Sequence, residues 1–327
     1  MLIKLTTILE ISRIYSLPMT VLSWLVAFTY SLLLYGNASN GILAFFGICF
    51  LHLATNVYDD YFDYKALIKQ LDFNKSEYLK NTQKTKCRYI IAGLVSEKEV
   101  FLLASLYMAI AGFLGIILYF KCGSGVLYFG AIGAVIAILY SFLSKVKLSE
   151  LAVGIAYGPA LYGGVYYVMT KTYSWDVFVL SIPTTIMTII LLYIHTVMDF
   201  DFDISEGKKT LANSFDSQLD SLIVLKSLLI ASYLSPILLC IFDILDWQVF
   251  GVLLTIPLAL DLYNSIKDFS INPQSVPTRR WFHFPMENLK AIKNIKAEAF
   301  MIRMYQSRNL MIYFSLLLTF AIVLCMI

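Results

Sequence analysis

Residues 41–64 read GILAFFGICFLHLATNVYDDYFDY. The first part, Gly41 to Tyr58, is free of charge and long enough to approach the span of a bilayer core as a helix. It then runs directly into Asp59, Asp60 and Asp63. On a helix, positions i, i+4 and i+7 share a face. Asn56, Asp60 and Asp63 therefore point together, with Asp59 close by. An apolar helix that ends in grouped acids, at the level where hydrocarbon meets water, sets the terms for the rest of the chain.

Eight further charge-poor stretches have similar length: Ile14–Tyr35, Val100–Phe120, Cys122–Ser144, Leu151–Thr170, Val177–Met198, Leu219–Phe242, Trp247–Ile266 and Asn309–Ile327. The composition agrees. Of 327 residues, 59% are hydrophobic and only 14% charged, against about 25% charged in soluble domains. The mean hydropathy is +0.74. These figures exclude a disordered chain, a nucleic-acid-binding domain and an ordinary cytosolic enzyme. An open sheet cannot satisfy its backbone in lipid, so the spans read as helices. The expected fold is all-α, a multi-pass membrane bundle of about nine transmembrane helices around a central cavity, as one domain over 1–327.

Charge sets the orientation. With a cytoplasmic N-terminus, the segments after helices two, four, six and eight are cytoplasmic as well. Together with the N-terminal segment they hold all of the 25 basic residues except Lys121 and Lys171, as the positive-inside rule requires. Removing any one helix from the count would scatter these charges over both faces. The first apolar stretch is too long for a signal-peptide core and reads as a retained helix. The five cysteines form no C-x-x-C pair and read as buried thiols. The expected location is the cytoplasmic membrane, with the N-terminus and the acidic face inside and the C-terminus outside.

A second acidic group ends the sixth helix: Asp199-Phe-Asp201-Phe-Asp203. Asp199 and Asp203 share a face, and Asp201 points nearly the opposite way. Basic residues follow both groups: Lys65 and Arg88 the first, Lys208 and Lys209 the second. Carboxylates grouped near hydrocarbon are costly and call for a cation between them. Hard oxygen ligands suit Mg²⁺, commonly held by a few carboxylates together with substrate phosphates. The pattern implies a Mg²⁺-bound diphosphate, and the apolar interior suits an isoprenoid tail on it. Plain solvated helix ends are the bland alternative. An ion-coupled transporter is the rival of a different class, but such sites usually lie near the midplane on broken helices.

With these motifs in place, the chain resembles the UbiA superfamily of intramembrane prenyltransferases. Within it, the chain is most similar to the 1,4-dihydroxy-2-naphthoate polyprenyltransferases of menaquinone biosynthesis. The likeness runs from about residue 10 to 215. Arg13-Ile-Tyr-Ser-Leu-Pro18 resembles the family's opening R-x-x-x-L-P, and Asn56 through Asp63 its first Asp-rich motif. Arg88-Tyr-Ile-Ile-Ala-Gly93-Leu-Val-Ser96 resembles the segment that follows. Gly158-Pro159 and Gly164-Val-Tyr-Tyr-Val168 resemble the fifth helix. Asp199 to Asp203, then Gly207-Lys208-Lys209-Thr210-Leu211-Ala212, resemble the second motif and its tail.

The resemblance implies that Asn56, Asp60, Asp63, Asp199 and Asp203 coordinate Mg²⁺ on a polyprenyl diphosphate, with Asp60 and Asp199 essential to catalysis. It implies that Arg88, Lys208, Lys209 and, less centrally, Lys65 contact the diphosphate. Tyr140 matches a tyrosine near the reacting carbon, or is an interfacial belt tyrosine. The acceptor is an aromatic small molecule, the surroundings are membrane lipid, and no obligate protein partner is expected. Where the branch often shows Asn-Asn-x-Arg, this chain has His195-Thr-Val-Met198, and Ile204 stands where Arg or Lys is usual. His195 either contacts the acceptor or acts as a base, or it is a polar interhelical contact. These departures leave room for another acceptor, such as 4-hydroxybenzoate or a haem ring. The basic stretch Leu289–Gln306 reads as an amphipathic helix on anionic lipid, or as part of a lid. His52 reads as packing. Asp261 is a buried acid in want of a basic partner.

Overall fold

The computed structural model describes residues 5–69, 74–80, 87–205, 207–286 and 295–326. Lys4, Lys84, Lys86, Lys290 and Lys293 of the basic set lie outside the described residues, as does the 289–294 part of the basic stretch.

Among the described residues, nine helices are long and apolar enough to cross a membrane. They are α1 (Pro18–Leu33), α2 (Ala38–Leu67), α3 (Glu97–Cys122), α4 (Gly125–Leu143), α5 (Ser149–Thr170), α6 (Trp175–Met198), α7 (Gln218–Ile241), α8 (Trp247–Ile271) and α9 (Ile295–Met326). The all-α membrane bundle expected from the apolar stretches is the fold observed. Each helix packs on the next, and α9 packs back on α1, so the bundle closes on itself. Pairs α2–α5 and α6–α9 pack across it.

Local sequence explains the ends. Asn37 accepts from the Asn40 N–H to cap α2. Ser96 and Glu99 form a reciprocal capping box at the start of α3. Ser217 accepts from the Asp220 N–H at the start of α7. The main core gathers the inward sides of α1 and α5–α9, including Tyr162, Tyr193, Leu225, Leu262 and Phe314. Helices α3 and α4 bury little of themselves. Phe113, Ile116, Phe120 and Leu127 stay exposed on them, the pattern of a lipid-facing surface.

Two elements differ from the sequence reading. The eighth span opens as a 3-10 helix, Trp247–Thr255, and then continues as α-helix to Ile271. The basic stretch before the ninth span is no separate surface helix: from Ile295 it is continuous with the span. Arg303 faces inward at 1% exposure. Its guanidinium donates to Ser265 O at 2.7 Å, Ser275 O at 2.8 Å, Ala299 O at 2.9 Å and Ser275 Oγ at 2.9 Å. Carbonyls of α8, of Ser275 just after it and of α9 itself hold this charge inside. Asp261 also finds its partners, His283 Nε2 at 2.6 Å and Arg280 Nε at 3.4 Å.

Candidate active site

The first acidic group sits on α2 itself. No glycine or proline interrupts residues 48–67, so the helix carries its acids one turn apart. Asp59 and Asp60 are buried, at 2% and 7% exposure. Their counter-ion is Arg13, which lies in the turn between the short helix Leu5–Ile11 and α1, in the left-handed region at φ 51°. One guanidinium nitrogen is 3.5 Å from Asp59 Oδ2 and the other bonds Asp60 Oδ1. Burial opposes the charge on Arg13, but Asp60 and Asp59 outweigh it and hold the guanidinium more firmly protonated than usual. Asn56 Nδ2 donates to Ser12 O and Ser16 Oγ, each at 3.1 Å. Asp63 accepts from Ser141 Oγ at 3.1 Å and pairs with Lys145 Nζ at 2.7 Å.

The second group begins where α6 stops. Asp199 leaves the helix at φ −92°, ψ 10°, and a short helix, Phe200–Ser205, resumes the turn. Asp203 N–H donates to Asp199 O at 2.7 Å, so the two acids stay one turn apart. Asp199 Oδ2 lies 3.2 Å from His195 Nδ1. Gly207, at φ 67°, bends the chain back so that Lys208 Nζ reaches Asp203 Oδ1 at 3.2 Å. Burial raises the Asp203 carboxyl above its ordinary range; Lys208 opposes this and Asp199 adds to it. Asp201 points out and is exposed.

A short crossing joins the two groups. After α4, Lys145 reaches back to Asp63, while Val146 pairs in parallel with Lys209 and the Lys147 N–H donates to Lys209 O at 3.0 Å. The loop between α4 and α5 thus touches the first acidic group with one residue and Lys209, after the second group, with the next two. Tyr140, half-buried, lies at the end of α4 that leads into this loop.

The other basic residues divide. Lys208 is in place against the second group, and Lys209 is exposed beside it. Arg88 opens the one-turn helix Arg88–Ile91 and donates to Leu79 O at 2.7 Å. That helix is tied to the first group because the Cys87 thiol donates to Asp60 O at 3.1 Å. Lys65 instead pairs with Glu97 at the start of α3. His195 stays with Asp199 and sets its ring edge-on to Phe300 of α9, 5.6 Å between centroids. Arg13 and Lys145 are the site residues that reading along the chain does not assign. Arg13 has a motif as its signal; Lys145 has only its place at the end of an apolar helix.

Among the described residues, no three His, Cys, Asp or Glu side chains converge to hold a metal ion by themselves. The donors nevertheless suit Mg²⁺: the two groups offer hard oxygens alone, and Mg²⁺ keeps several waters and takes one or two carboxylates plus substrate phosphates rather than an all-protein cage. In their present arrangement Asp60, Asp63 and Asp203 are neutralised by cations of the chain itself.

The profile of the UbiA prenyltransferase family matches residues 16–286. The 2-carboxy-1,4-naphthoquinone phytyltransferase of Synechocystis sp. is 22% identical over 192 residues, which cover 57% of this chain and 62% of that protein. The apo structure of a UbiA homolog from Aeropyrum pernix K1 superposes with a TM-score of 0.60 at 18% identity, over 94% of this chain and 98% of its own. A UbiA homolog from Archaeoglobus fulgidus, bound to DMAPP and Mg²⁺, gives 0.56 at 14% identity, over 95% of this chain and 98% of its own. At these identities the structural likeness speaks for the fold.

Proposed function

We propose a reaction from one premise: this chain belongs to the UbiA prenyltransferase family. The reaction is Mg²⁺-dependent transfer of a polyprenyl group from polyprenyl diphosphate to an aromatic acceptor, 1,4-dihydroxy-2-naphthoate first among them. One observation carries the reading. The Lys145–Lys147 loop touches Asp63 on one side and Lys209 on the other, so two acidic groups and their lysines meet at one end of an apolar bundle. The naphthoquinone relative and the homolog bound to DMAPP and Mg²⁺ support it.

Asn56, Asp60, Asp63, Asp199 and Asp203 would hold Mg²⁺, whose charge stabilises a departing diphosphate. Arg88, Lys208 and Lys209 would hold the remaining diphosphate oxygens. When diphosphate arrives, Arg13, Lys145 and Lys208 have a second anion to bind besides their present carboxylates. The allylic C–O bond breaks with its electron pair going to diphosphate. The acceptor's ring carbon forms the new C–C bond, and dihydroxynaphthoate gives up its carboxyl as CO₂. The dry interior keeps water from the allylic cation, and aromatic faces stabilise it. The positive charge on the acidic face supports a cytoplasmic orientation for it.

The test is radiolabelled prenyl transfer in detergent with Mg²⁺, offering dihydroxynaphthoate and 4-hydroxybenzoate in parallel. A lipophilic product with dihydroxynaphthoate supports the reading. Product with 4-hydroxybenzoate alone would move the acceptor and keep the chemistry. No product with either, and no diphosphate release, would overturn it.

A further inference from the structure

A buried hydrogen-bonded chain leads from the first acidic group into the bundle. Asn56 donates to Ser16 Oγ at 3.1 Å, and Ser16 Oγ donates its own proton to Arg13 O at 2.8 Å. His52 Nε2 lies 2.9 Å from the same Ser16 oxygen. A hydroxyl whose proton is already given away can only accept, so Nε2 carries the imidazole proton. In the neutral ring, Nδ1 is then the acceptor. Two hydroxyls approach it: Thr20 Oγ1 at 2.6 Å and Tyr157 Oη at 3.0 Å. With Nδ1 as the acceptor, the Tyr157 hydroxyl at 3.0 Å engages it by donating its proton.

The backbone is shaped to put Tyr157 there. Residues Ala156–Ala160 form one turn of π-helix inside α5, with Pro159 in the turn and Gly158 off helical values at φ −96°, ψ −109°. Such single turns are frequent at functional sites. The sequence permits it because Pro159 brings no N–H to the ladder. Gly158 is required because a Cβ there would meet Thr185 Oγ1 of α6 at 2.3 Å. The extra residue turns the Tyr157 ring edge-on to His52, 5.6 Å between centroids. Tyr157 is half-buried, not sealed.

We infer that Tyr157 accepts a hydrogen bond from the ring hydroxyl of the aromatic acceptor, and that His52 positions it, so that the site selects hydroxylated rings. The inference rests on the acceptor reading above. A phenolic O–H that donates to Tyr157 pushes electron density into its ring, at the carbons that attack the allylic centre. A tyrosine with a free proton would donate instead and withdraw that density. His52 Nδ1, by taking the Tyr157 proton, removes this choice.

The experiment uses the protein in detergent with Mg²⁺ and polyprenyl diphosphate, comparing 1,4-dihydroxy-2-naphthoate with the two analogues that each lack one ring hydroxyl, 1-hydroxy-2-naphthoate and 4-hydroxy-2-naphthoate. The readout is the ratio of kcat/KM for dihydroxynaphthoate to that for the analogue the protein prefers least. Tyr157→Phe is expected to cut that ratio by about tenfold or more, as sites built to pair a hydroxyl do when the partner is lost, with KM for the prenyl diphosphate unchanged. His52→Phe should do the same, and His52→Asn, which restores an acceptor toward Tyr157, should recover part of it. A packing role would lower stability in all three variants and leave the ratio alone, and that result overturns the inference. No transfer by the wild type to any of these compounds would defeat the acceptor reading itself, and this inference with it.

Discussion

Lys145 Nζ stands 2.7 Å from Asp63 Oδ1, across a separation of 82 residues. The lysine comes from the loop after α4 and the carboxylate from the end of α2. With Arg13 on Asp60 and Lys208 on Asp203, it makes a set of internal cations that occupy the oxygens proposed for Mg²⁺. A cation of the chain and a cation from solution compete for the same charge.

Lys145→Met tests this competition. The pair is partly exposed, with side-chain exposures of 36% and 12%, so its loss should cost no more than about 1 kcal/mol of stability. Removing the competitor should lower the Mg²⁺ concentration for half-maximal activity by roughly threefold to tenfold, given charges this close at an interface. Magnesium titrations of turnover and of melting temperature check it. An unchanged Mg²⁺ requirement would show that Lys145 and the metal do not share Asp63.

Asp60→Asn and Asp199→Asn should each reduce turnover by at least about 10³-fold, the scale of losing a group that stabilises departing charge. The asparagines keep size and one hydrogen-bonding oxygen. Arg13 retains Asp59, 3.5 Å away, so the Asp60 variant should stay folded. Activity is measured as diphosphate release, with size-exclusion profiles as the check on folding. Wild-type release by either variant would remove that acid from the ligand set.

Chelation gives a separate outcome. EDTA should abolish prenyl transfer, and added Mg²⁺ should restore it. Zn²⁺ should serve poorly, since it favours nitrogen and sulfur ligands and both acidic groups present oxygen. Mg²⁺ together with prenyl diphosphate should raise the melting temperature, because a ligand bound only by the folded state stabilises it. Mg²⁺ alone should do less, since among the described residues no three acids converge without a further ligand. Full activity in EDTA would exclude the metal.

What sequence could show follows a physical divide. The nine spans are written in apolar length, because lipid admits only segments that pair their own backbone. The Asp60–Asp63 and Asp199–Asp203 faces are written in helical spacing. Contacts between helices are not written in either. Lys145 meets Asp63 only because α4 packs on α2, and Arg13 meets Asp60 only through a left-handed turn. Tyr157 meets His52 through a π-turn that a period of 3.6 residues cannot signal. Lys65 looks like a diphosphate ligand by proximity in sequence, yet Glu97 at the start of α3 takes it. The Leu289–Gln306 stretch looks amphipathic because charge density alone does not tell lipid headgroups from buried carbonyls.

Arg303 offers the sharpest test of that last distinction. A residue lying on anionic lipid tolerates lysine in place of arginine. Arg303 instead divides its guanidinium among Ser265 O, Ser275 O and Ala299 O, and stacks on Phe269 at 4.9 Å. An ammonium is a point charge that cannot present this planar fork. Arg303→Lys should therefore lose at least one of these charge-assisted bonds, at a cost of about 1–3 kcal/mol. Arg303→Met should lose all of them and cost more. The check is the melting temperature in detergent, with an exposed neighbour, Lys267→Met at the end of α8, as control. Substitutions at Arg303 that behave like the control would return the segment to the membrane surface. A large loss at Arg303 for both methionine and lysine means that the guanidinium fork, not charge alone, ties α9 to α8 and the segment after it, near the point where Phe300 meets His195.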